Sequence, residues 1–106
     1  MIKVENELQT VLEQEDPETV LIAGASHLSQ YPILMSAQIR EHVEFVIDNS
    51  DHKANKCLYG TNFTCKKFES IQGFQKPLAI VFSSPYQNEM NEQILNLSSN
   101  ALILNG

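Results

Sequence analysis

The residues best suited to chemistry lie in short stretches that each follow an apolar run. Gly24-Ala25-Ser26-His27 comes directly after Val20-Leu21-Ile22-Ala23. A strand that turns through glycine into a helix is where α/β domains hold phosphate, because free backbone N–H groups and the positive end of the helix dipole converge there. His27 in such a turn can donate to a ligand phosphate or sugar hydroxyl, or stand as a surface imidazole. Asp48 ends the next apolar run, Val43 to Ile47, near where a ribose-binding acid stands in dinucleotide domains. A strand-ending Asp also caps the loop that follows it. Ser83, Ser84 and Tyr86 follow Leu78 to Phe82. The serines can meet a polar ligand or cap the next helix, and Tyr86 can stack on a base or cover the core.

Other chemistries find less support. The full dinucleotide fingerprint would need glycines where Ser26 and Ser29 stand. His52, Cys57 and Cys65 lack C-x-x-C spacing and a matched histidine pair, so no metal is expected. Neither cysteine is tied to a base that would activate it. No catalytic residue and no cofactor is therefore assigned.

The elements that must position these groups can be read from periodicity. Val4, Leu8, Val11 and Leu12 make one stripe of a helix over residues 2–14, which Asp16-Pro17 ends. Residues 19–23 read as a central parallel strand, apolar on both sides of the pleat. A helix is predicted from about Gln30 to Arg40, with Ser29 as N-cap, Pro32 in the first turn, and Ile33, Leu34, Ala37 and Leu28 on its buried side. Residues 43–48 form the second strand and 49–60 a polar loop. Thr61 to Cys65 reads as a short edge strand, and Phe68 to Phe74 holds a helical turn. Residues 78–82 form another buried strand. Ser83-Ser84-Pro85 caps a helix at about 86–97, with Tyr86, Met90, Ile94 and Leu97 on one side. Ala101 to Leu104 is the last strand.

This alternation predicts a three-layer, Rossmann-like α/β domain with right-handed crossovers and helices on both faces of a mostly parallel sheet. The expected strand order is 3-2-1-4-5. Strand order reverses between residues 20–23 and 78–82, so a ligand is expected outside the carboxyl ends of those strands. The whole chain, 1–106, reads as one such domain: an amphipathic helix over 1–15 and an α/β core over 19–106.

A net charge of −6 argues against nucleic acid and against an anionic membrane surface. Residues 1–15 are acidic and amphipathic rather than a secretory leader, and no apolar run approaches the ~20 residues of a membrane span. A cytoplasmic protein with reduced Cys57 and Cys65 is expected, and the sequons at Asn62 and Asn96 are read as chance.

The block Val46 to Cys65, VIDNSDHKANKCLYGTNFTC, resembles the C-terminal domain of the S-adenosylmethionine-dependent sugar C-methyltransferases. That family has a glycine-small-small turn after its first strand, matched by Gly24-Ala25-Ser26. Its later acid, lysine and Gly-Thr align without gaps on Asp48, Lys53 and Gly60-Thr61. Ser50-Asp51 stands where the family has Asn-Pro, and Asn55 and Tyr59 replace a glycine and a proline. The segment LAIVFSSPYQNEM is similar to the family's next strand and helix entry. The resemblance covers about residues 19–106 and implies a Rossmann-like domain that packs against a methyltransferase domain and helps hold a nucleotide-sugar. In that family the S-adenosylmethionine site, the catalytic residues and the zinc cysteines lie in preceding domains, outside residues 1–106. The implied role is a binding module for a nucleotide or nucleotide-sugar beside a protein partner.

A second reading is an interaction or scaffold domain that has lost its ligand. It would have a filled crevice and an apolar surface around strand Ala101–Leu104 or helix 2–14, and homodimerisation through the strand edge would protect its unpaired ladder. A small NAD-dependent reductase would need a substrate domain and a proton donor that the residues do not supply.

Overall fold

The sheet is built from strands whose side chains are apolar on both sides. The structure is a computed structural model and describes residues 2–24, 36–48, 63–82 and 85–106. In it β1 (Thr19–Ala23), β2 (Val43–Ile47), β3 (Cys65–Lys66), β4 (Pro77–Val81) and β5 (Leu102–Asn105) form one sheet of order β3-β2-β1-β4-β5. Among the described residues, the four strand pairings are all parallel. Every residue of β1 and β4 is buried, as expected for central parallel strands covered on both faces.

Alternation along the strands sorts the core into two faces. Val20, Ile22, Leu78 and Ile80 meet Val4 and Leu8 of helix α1 (Ile2–Glu15) and Ile39 of α2 (Ala37–His42). Leu21, Ala23, Ala79 and Val81 meet Phe68 and Ile71 of a 3-10 helix (Phe68–Gly73) and Ile94 of α3 (Gln87–Leu97). The protein is thus a three-layer, Rossmann-like α/β fold with the predicted strand order.

The local differences have physical causes. The helix expected from Gln30 to Arg40 is not continuous. Ser36 is extended, at φ −118° and ψ 111°, and its Oγ accepts the Ile39 N–H at 3.3 Å. This cap sets the helical phase from Ala37, so Ile39 is buried and Ala37, expected in the core, is exposed. The predicted cap Ser29 and residues 30–35 lie outside the described residues. β3 is Cys65–Lys66 rather than Thr61–Cys65; residues 61 and 62 lie outside the described residues. β4 begins one residue earlier than predicted, at Pro77, a first-strand position where the missing N–H costs no ladder bond. β5 and α3 each start one residue later than predicted. Helical periodicity places Tyr86 on the apolar side of its helix. It is instead the N-cap residue and 64% exposed, because α3 begins only at Gln87.

β2 carries a bulge. Val20 pairs with Val43, but Leu21 pairs with Phe45, leaving Glu44 as an extra residue. Val43 and Phe45 consequently face opposite sides of the sheet although two apart in sequence. The buried Thr19 hydroxyl donates to the Glu44 carboxylate, which fixes the extra residue in place.

Candidate functional site

The carboxyl ends of β1, β2 and β4 meet where the strand order reverses. Gly24 leaves β1 there with φ +95°, a conformation that L side chains rarely adopt. Its N–H donates to the Ile47 carbonyl at 2.7 Å. That bond sets Gly24 beside the end of β2, where Asp48 follows Ile47. Asp48 is half-buried, and its N–H donates to the Lys66 carbonyl at 2.8 Å. The structure therefore brings Gly24 and Asp48 together, on adjacent strand ends.

The end of β4 is closed by α3. Gln87 Nε2 donates to the Val81 carbonyl at 3.0 Å, and the Gly106 N–H donates to the same oxygen at 2.9 Å. One turn further along α3, Met90 reaches the β1 turn. A Cβ on Gly24 would lie 3.4 Å from Met90 Sδ and 3.7 Å from Cε. The demand for glycine here comes from the positive φ, since a Cβ would meet the thioether at ordinary van der Waals distance. Tyr86 precedes α3 at the same end of the sheet, and its side chain makes no capping bond. The N-cap of α3 is therefore Tyr86, and neither Ser83 nor Ser84 occupies that position.

One strand further out, Lys66 Nζ lies 4.7 Å from the Phe45 ring centroid, and Phe45 stacks on Phe74 with centroids 5.6 Å apart. This contact anchors a cation near the β2 end. The described groups at this end offer binding chemistry: a carboxylate for hydroxyls, a thioether and a phenol ring for a planar or apolar group, and a lysine one strand away.

Gly24, Asp48 and Tyr86 are the predicted site residues that the structure describes. Ala25, Ser26, His27, Lys53, Gly60, Thr61, Ser83 and Ser84 lie outside the described residues. Sequence reasoning misses Met90 and Gln87. Met90 reads as one more core residue of an amphipathic helix, and nothing local predicts its contact with residue 24. Gln87 carries a weaker signal, an amide in the first turn after a buried strand.

No protein-family model and no curated protein matches this chain. Among the described residues, no helix is long and apolar enough to cross a membrane.

Proposed function

We propose that this chain is a non-catalytic binding module that holds a nucleotide or nucleotide-sugar at the carboxyl ends of β1 and β4, beside a methyltransferase domain or another protein partner in the cytoplasm. The observation that carries this reading is Gly24, left-handed at the switch point of a 3-2-1-4-5 parallel sheet. Asp48 on the neighbouring strand end is the acceptor for sugar hydroxyls, and exposed Tyr86 offers a stacking surface. The resemblance of Asp48, Lys53 and Gly60-Thr61 to the sugar C-methyltransferase domain supports the same ligand class.

Calorimetry tests this, with a nucleotide-sugar, a nucleoside diphosphate, NAD and S-adenosylmethionine offered in turn. The nucleotide-sugar or the diphosphate is expected to bind, and Asp48→Asn to weaken binding while the chain stays folded. Failure of all four to bind would sink the reading.

A second reading has its own observation. Met90 lies against the Gly24 turn, at the place where a ligand's close approach to the backbone is expected. A scaffold domain whose crevice has been filled by its own side chain accounts for that contact. Met90→Ala that gains nucleotide binding would favour this history.

A further inference from the structure

We propose that the outer edge of β5, beyond which no described strand pairs, takes up a basic, extended segment of a partner protein as an added strand. The two edges of the sheet are built differently. β3 is two residues long and carries Lys66, with Lys67 following it. Short length and lysines are the devices that block strand addition. β5 runs for four residues, Leu-Ile-Leu-Asn, without a charge.

The register fixes which backbone groups of β5 point outward. The Gly106 N–H donates to Val81 in β4. In a parallel strand, alternate residues turn both backbone groups the same way. Leu102 and Leu104 thus bond β4, while Ile103 and Asn105 present N–H and C=O to the outside. Beside this edge lies a groove of about 350 Å³, lined by Leu104 and Asn105 of β5 and by Glu7, Thr10 and Val11 of α1. Its lining is mainly apolar, which suits the alternate aliphatic side chains of an incoming strand.

Charge selects the occupant. Glu7 lines the groove itself, and α1 carries Glu5, Glu13 and Glu15 as well, against Lys3. The whole chain has a net charge of −6. A second copy pairing antiparallel on β5 would set two such helices side by side on one face of the joined sheet, with like charges opposed. A segment carrying lysine or arginine between aliphatic residues meets the same groove with charges matched.

The test uses the full chain and a labelled peptide, acetyl-Lys-Val-Lys-Val-Lys-Val-Lys-amide, in fluorescence anisotropy at low salt. The peptide is expected to bind and to shift the amide resonances of Ile103 and Asn105. The same peptide N-methylated on its valines, which cannot complete a ladder, is expected to bind about tenfold more weakly. Glu7→Lys is expected to weaken binding of the basic peptide, with an unchanged circular dichroism spectrum. Absence of binding, or equal binding by a glutamate version of the peptide, would overturn the proposal. So would sedimentation showing a dimer that Ile103→Lys dissolves, since the edge would then belong to a second copy.

Discussion

At Gly24, the backbone and the packing of a single residue can be weighed separately. Gly24→Ala places a Cβ at φ +95° and 3.4 Å from the Met90 sulfur. We predict a loss of about 2 kcal/mol, mostly from the backbone term. Guanidinium unfolding of Gly24→Ala, Met90→Ala and the double variant checks this. The coupling between the two sites should be small, and a coupling that accounts for most of the loss would refute the assignment. Asn91 is the opposite case. Its Oδ1 is buried with no hydrogen-bond partner. Leucine removes the orphaned acceptor and is a better helix former, so Asn91→Leu should stabilise the protein by about 1 kcal/mol in the same assay. A destabilised variant would mean that the carboxamide has a use. The turn at Gly24 is legible in the sequence because a glycine between an apolar run and a polar stretch is a local signal. Its contact with Met90 is not, because it joins residues that only the finished fold brings together.

Among the elements, the strands read most clearly where burial is complete. β1 and β4 are continuous apolar runs, and the pattern of each locates it within a residue of its true bounds. β3 has no such pattern, since a short edge strand is defined by its neighbour rather than by its own side chains. The break at Ser36 escapes the sequence for a related reason. A serine inside an amphipathic pattern reads as a tolerated polar position until its hydroxyl is seen to accept the Ile39 N–H. The bulge in β2 is also invisible there, because Val-Glu-Phe-Val-Ile fits a regular strand. It yields a deletion experiment. Removing Glu44 leaves Val43 and Phe45 on opposite faces, as they already are, and forfeits only the bond to Thr19. We expect that variant to fold with a loss of about 1 kcal/mol. Removing Val46 instead moves Phe45 to the wrong face and turns Glu44 into the core opposite Leu21, and should abolish cooperative unfolding. Thermal melts followed by near-ultraviolet circular dichroism distinguish the two, and equal damage from both deletions would contradict the bulged register of β2.

For the molecule as a whole, the parallel topology predicts where stability concentrates. Hydrogen exchange should be slowest at Leu21, Ile22, Ala79 and Ile80, in the strands buried on both faces. Along β5 it should alternate, with Leu102 and Leu104 protected and Ile103 and Asn105 fast. Uniform protection along β5 would show that its outer groups are already bonded. The same asymmetry has a meaning in the vocabulary of polymers. If β5 takes up a strand, a sheet with that uncharged edge on one side and two lysines at the end of the other has a valence of one. Among the described residues, its other edge is the two-residue, lysine-bearing β3, which does not match β5 and would not pass the growth on. A subunit that takes up a strand in this way would act as a chain stopper: strand addition would end in a discrete complex and would not run on into a fibre.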